Sequence, residues 1–181
     1  GFDSIFFAEM GATVTFVDIV RENIKLVERI CHIKGLGNCR FLAMDNVDDL
    51  QSLDKNYDAV FGFGSLHHAP SAWMKSEFDA LAACLKPGGR LIMHAYPKIR
   101  WEREGRMSFE EWGNSTDGTG TPWAEWYDVN KLQKLLLPAR FVKLMYLEYW
   151  QEAMNCIDLM KVDGLDAFDD AKLPENALRL P

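Results

Sequence analysis

A chain of 181 residues with 48 % hydrophobic, 26 % charged and 12 % aromatic residues has the composition of one folded domain with a sizeable core, which excludes a mostly disordered or collagen-like polymer. Its formal net charge of -7 repels nucleic-acid backbones and anionic membrane surfaces, and the densest basic group, Lys98, Arg100, Arg103 and Arg106, is interleaved with Glu102, Glu104, Glu110 and Glu111, so no basic patch overrides the sum. Apolar runs such as Ile5 to Ala8 fall far short of the roughly 20 residues of a membrane span, and Cys31, Cys39, Cys84 and Cys156, with no C-x-x-C pair, read as reduced thiols of a cytoplasmic protein.

Taken in chain order, Phe2, Ile5, Phe6 and Met10 recur at helical spacing ahead of Gly11, Thr13 to Val17 reads as a strand ending at Asp18, and Ile24, Val27, Ile30 and Cys31 mark one face of a helix from Arg21 to Lys34. Cys39 to Met44 is a second strand ending at Asp45. A single turn is expected around Val47 to Leu50, then a third strand at Tyr57 to Phe63 and a loop, Leu66 to Ser71, with two histidines. Met74, Phe78, Leu81, Ala82 and Leu85 define a helix over Trp73 to Leu85, stopped at Lys86-Pro87-Gly88-Gly89, and Leu91 to Ala95 is a fourth strand. Beyond residue 96 the rhythm breaks into an aromatic segment, 97–127, with Trp101, Trp112, Trp123 and Trp126, before a helix at Val129 to Leu137 and two closing strands, Phe141 to Leu147 and Cys156 to Val162. Residues 163–181 form an acidic tail. Strands alternating with helices imply an α/β, Rossmann-like fold, a mostly parallel open sheet with helices on both faces.

Ligands of such sheets bind beyond the carboxyl ends of the strands, which puts Asp18, Asp45, the segment from Gly62 to His68 and His94 to Tyr96 in view. An acid ending the second strand of a nucleotide-binding unit can accept both ribose hydroxyls; an acid in that position also caps the helix that follows. Asp45 has the same two readings, with an adenine amine as its ligand. His67 and His68 offer either a general base with a pKa near neutrality or two rings that shape a pocket. No cluster of His, Cys or carboxylate has metal-ligand spacing, so no metal is expected.

Gly1 ahead of a helix, V-T-F-V-D at 14–18, F-L-A-M-D at 41–45, Y-D-A-V-F-G-F-G-S-L-H-H at 57–68 and L-K-P-G-G-R-L-I-M-H at 85–94 follow one another in a pattern that resembles the class I S-adenosylmethionine-dependent methyltransferases, in particular their small-molecule branch with a Leu-His-His loop, over residues 1–162. The resemblance implies methyl transfer from S-adenosyl-L-methionine to a small-molecule acceptor. It implies Asp18 on the ribose, Ile19 against the adenine, Asp45 and Asn46 at the adenine edge, backbone of Gly62 and Phe63 near the methionine end, and Gly1 as the last glycine of a G-x-G-x-G loop whose lack of side chains lets backbone amides approach the cofactor. His67 or His68 becomes the candidate base, and residues 97–127 an insertion or lid over the site.

Two departures stand out. The family's first strand and earlier loop glycines would lie upstream of Gly1, so the chain is expected to begin inside a longer reading frame and its sheet to lack a central strand. Val20 occupies a position where a helix-capping Ser, Thr or Asn is usual. Competing readings are a nicotinamide-dependent oxidoreductase, which Asp18 would serve equally well, and a catalytically silent domain kept as a binding module.

Overall fold

A computed structural model describes residues 2–118 and 120–163 of the chain. They divide into two compact units between Leu53 and Asp54.

In the first unit, helix α1 (Phe2–Glu9) precedes strand β1 (Val14–Asp18), helix α2 (Arg21–Ile33), strand β2 (Cys39–Ala43) and a 3-10 turn at Val47–Ser52. β1 and β2 run parallel in register from Val14 opposite Cys39 to Asp18 opposite Ala43. The apolar stripe of α2 works as its spacing requires: Ile24, Val27 and Cys31 are buried with Ile5 and Phe16, and Phe16 stacks on Phe41 with ring centroids 5.6 Å apart. Burying side chains of this kind stabilises a fold by roughly 1.5–3 kcal/mol each. Asn38 Nδ2 donates to the carbonyls of Ala8 at 2.8 Å and Ala12 at 2.7 Å, satisfying backbone acceptors where α1 ends.

The second unit holds strand β3 (Tyr57–Phe63), helix α3 (Ser71–Cys84), strand β4 (Leu85–Ala95), helices α4 (Lys98–Arg103), α5 (Phe109–Asp117) and α6 (Val129–Leu136), and strands β5 (Arg140–Tyr149) and β6 (Met154–Val162). Its four-stranded sheet has the order β3-β4-β6-β5, parallel between β3 and β4 and antiparallel elsewhere. Among the described residues β6, the last strand in sequence, thus lies between its two predecessors. Asp158 on β6, only 2 % exposed, takes a two-pronged ion pair from the Arg90 guanidinium on β4. A buried carboxylate with that partner pins the register of the two strands, because a slip would strand the charge. Lys161 Nζ donates to Ala82 O at 2.8 Å and Leu85 O at 2.7 Å and so caps the carbonyl end of α3.

Among the described residues β1 pairs with β2 alone and β3 with β4 alone, and two sequence expectations change. β4 starts at Leu85, six residues early, because the Lys-Pro-Gly-Gly turn is carried inside the strand as an irregularity: Tyr57 pairs with Leu85, yet Ala59 pairs with Arg90. Gly88, at φ +76°, makes that bulge without the strain a side chain would add. The aromatic segment is also more regular than its broken rhythm suggests. It contains α4 and α5, the latter opened by a capping box in which Ser108 accepts from the Glu111 amide and Glu111 from the Ser108 amide.

Candidate functional site

The candidates of the first unit cluster where β1 and β2 end. Asp18 Oδ1 accepts from the Val20 amide at 2.8 Å and Oδ2 from Asn23 Nδ2 at 3.0 Å. Val20 supplies no side-chain cap to α2, and the carboxylate two residues earlier holds the start of that helix through the Val20 amide and the Asn23 side chain. Each oxygen keeps a further lone pair, because a carboxylate offers about four acceptor positions. Ile19 beside it is 75 % exposed. Asp45 is exposed and accepts from Arg21 Nη2 at 2.9 Å. Asn46 caps the 3-10 turn: its Oδ1 accepts from the Asp48 amide at 2.8 Å, while Asp49 Oδ2 accepts from the amides of Asn46 at 3.2 Å and Asp45 at 2.7 Å. Gly1 lies outside the described residues.

The second unit carries the others. Gly62 is buried on β3, and a Cβ there would come 2.8 Å from Leu66 Cδ1, so the strand's end and the loop that follows are packed against each other without room for a side chain. Phe63 is half-exposed, and its ring lies 5.0 Å from that of His94, whose Nδ1 is 2.6 Å from the Tyr149 hydroxyl. The two loop histidines then part company. His67 is fully buried, its ring 4.0 Å from His68 and 4.6 Å from Tyr96, with neither nitrogen hydrogen-bonded. Burial first, then the electrostatic influence of His68 and Arg100, pushes its pKa down from 6.5 to about 3. It is therefore neutral at physiological pH. His68 is half-buried, and its Nδ1 lies 3.2 Å from the Trp123 carbonyl. A carbonyl only accepts, so this contact assigns the proton to Nδ1 and leaves the lone pair on Nε2.

What holds the histidine loop comes from far along the chain. The Glu125 amide donates to His67 O at 3.0 Å. Its carboxylate, on a residue only 4 % exposed, accepts from the Ser71 amide at 2.8 Å, from Trp123 Nε1 at 3.3 Å and from Lys131 Nζ at 2.6 Å. Lys131 in turn sits over three rings, 4.3 Å from Trp126, 4.7 Å from Tyr127 and 5.3 Å from Phe109. The tryptophans around it are packed: Trp112 is fully buried, 5.3 Å from Tyr96 between ring centroids, and Trp101 lies 6.3 Å from Trp126. Glu125 escaped the sequence reading. Its one signal is indirect, a helix, α3, that starts after Pro70 with no capping side chain of its own. Among the described residues no group of three or more His, Cys, Asp or Glu could hold a metal ion, and no helix is long and apolar enough to cross a membrane.

Residues 1–89 match the family model described as "Methyltransferase domain". No curated protein matches the sequence. Among solved structures, a Pyrococcus horikoshii OT3 protein aligns at TM-score 0.68 and 17 % identity over 89 % of this chain and 77 % of its own. An S-adenosylmethionine-dependent methyltransferase of Methanosarcina mazei aligns at TM-score 0.60 and 19 % identity over 88 % of this chain and 86 % of its own. The 1,6-didemethyltoxoflavin-N1-methyltransferase of Burkholderia thailandensis, solved with its substrate and S-adenosylhomocysteine, aligns at TM-score 0.57 and 22 % identity over 90 % of this chain and 67 % of its own. At such identities the likeness is one of fold. The chain has the α/β, Rossmann-like methyltransferase fold, and its residues 1–89 match the methyltransferase domain.

Proposed function

We propose that this protein is a methyltransferase that uses S-adenosyl-L-methionine to methylate a small-molecule acceptor. The observation that carries the reading is the methyltransferase-domain match over residues 1–89, the stretch that contains Asp18, Ile19, Asp45, Asn46, Gly62, Phe63, His67 and His68. The cofactor supplies an electrophilic methyl group on a sulfonium. The residues present are chemically suited to it: a strand-end carboxylate with acceptor capacity to spare for ribose hydroxyls, an exposed isoleucine for a base to pack on, and a strand end at Gly62 without a side chain. Asp45 and Asn46 take the adenine edge in this reading.

His68 is the general base. Its Nε2 lone pair takes the proton from an acceptor hydroxyl or amine as that atom attacks, a service typically worth about 10²–10⁴-fold in rate. His67, buried and neutral, packs beneath it. Residues 97–127 form the cover of the histidine loop, bearing on it through Trp123 and Glu125. One of the solved structures that this fold resembles holds 1,6-didemethyltoxoflavin beside S-adenosylhomocysteine, which supports a small-molecule acceptor here. All four cysteines are free thiols, which supports a reducing compartment.

Calorimetric titration with S-adenosylmethionine and, separately, NAD tests the reading. Binding of the first and not the second is expected, with Asp18→Ala weakening it about 10- to 100-fold, the worth of hydrogen bonds to a charged group. Binding of NAD alone, or unchanged affinity in Asp18→Ala, overturns it.

A further inference from the structure

We infer that Glu125 is a positioning residue: its buried carboxylate, set between the first amide of α3 and Lys131, fixes the histidine loop so that His68 presents Nε2 as its base. The inference rests on the methyltransferase reading for its purpose, though not for its geometry.

Three contacts bracket the loop. At one end Glu125 N holds His67 O at 3.0 Å; at the other Glu125 Oε2 holds Ser71 N at 2.8 Å; between them the Trp123 carbonyl takes His68 Nδ1 at 3.2 Å. Trp123 and Glu125 are next-but-one neighbours, so one short segment sets both the backbone and the tautomer of residues 67–71. The carboxylate also does what no local residue does. Pro70 precedes α3 without a capping side chain, and a negative charge at that end meets both an unpaired amide and the positive end of the helix dipole.

Leaving such a carboxylate in a site 4 % exposed requires a counter-charge, and Lys131 Nζ provides it at 2.6 Å while donating also to Trp126 O at 2.8 Å. The aromatic rings around Lys131 hold the ammonium in place. An ion pair with only a packing role would have no reason to spend its second oxygen on the amide that begins the helix after the histidines. The segment is also pressed from behind: a Cβ on Gly113 of α5 would come 2.5 Å from the Trp123 backbone, so the helix lies directly on the residues that grip the loop.

The test is nuclear magnetic resonance on the 15N-labelled chain, reading the tautomer of each imidazole and the exchange rate of the Ser71 amide, with S-adenosylmethionine titrated in parallel. Wild type is expected to show His68 protonated on Nδ1 alone. Glu125→Ala removes the acceptor, and Glu125→Gln keeps the volume while removing the charge, so a folded variant remains if the alanine one fails. In either variant His68 is expected to lose its single tautomer and Ser71 to exchange about 10-fold or more faster, the equivalent of one lost charge-assisted hydrogen bond. Glu104→Gln, which touches Trp112 and Arg100 but not the loop, is the control and should leave both readouts unchanged. Folded Glu125 variants with wild-type His68 and Ser71 signals, or a control that shifts them equally, overturn the inference. A wild-type chain that binds no S-adenosylmethionine overturns the functional reading instead, and leaves the spectra to judge the clamp.

Discussion

The strand ends of the first unit and the histidine loop of the second carry candidate residues held by opposite means. Asp18, Asp45 and Asn46 are anchored by neighbours within a few residues or by one exposed arginine, through the starts of α2 and the 3-10 turn. His67 and His68 are anchored by residues more than fifty positions away, in a network where the Glu125 carboxylate and several rings are buried and Lys131 is half-buried. Local anchoring leaves a side chain reachable and tolerant of change. Distant anchoring sets one geometry for a ring and makes it depend on packing elsewhere, which suits a group that must aim a lone pair.

The largest break in this contrast should come from Gly113→Ala. The added methyl would meet Trp123 backbone atoms at 2.5 Å, which cannot move without disturbing the clamp, and a loss of about 3 kcal/mol in urea unfolding is expected. Gly37→Ala in the first unit has nothing within 4 Å and should change stability by less than about 1 kcal/mol. Equal losses would erase the distinction.

Next comes pH. His67 has a folded pKa of about 3 against an ordinary 6.5, so below 6.5 the unfolded chain takes up a proton that the folded chain refuses. Its contribution is full above about pH 6.5 and shrinks as pH falls, by up to about 1.4 kcal/mol per unit. Subtracting the stability of His67→Leu from that of wild type between pH 7 and 4.5 should show this slope; a flat difference means the ring is not buried as described. The smallest effect belongs to the exposed pair: Arg21→Ala, which frees Asp45 at a pair whose side chains are 54 % and 78 % exposed, should cost at most about 1 kcal/mol and less in high salt.

Much of the first region is legible from sequence because its reasons are local. Apolar spacing marked α2, and the local bonds of Asp18 run to residues two and five positions on. The second region is legible only in outline. The histidines and the glycines before them stand out as residues, yet what distinguishes His67 from His68 is a carbonyl and a carboxylate 55 and 54 positions from the groups they bind. No periodicity reports such a pairing.

The insertion of β6 between β4 and β5 has a consequence for the order in which the protein is made. A nascent chain that has emerged only as far as Tyr149 can pair β3 with β4, but β5 has no neighbour, since its sole partner among the described residues is β6. Arg90 meanwhile waits for Asp158, and the Tyr127 carbonyl for Asn155. Through that interval β4 presents an unpaired edge, the kind of surface that chaperones cover and that aggregates recruit.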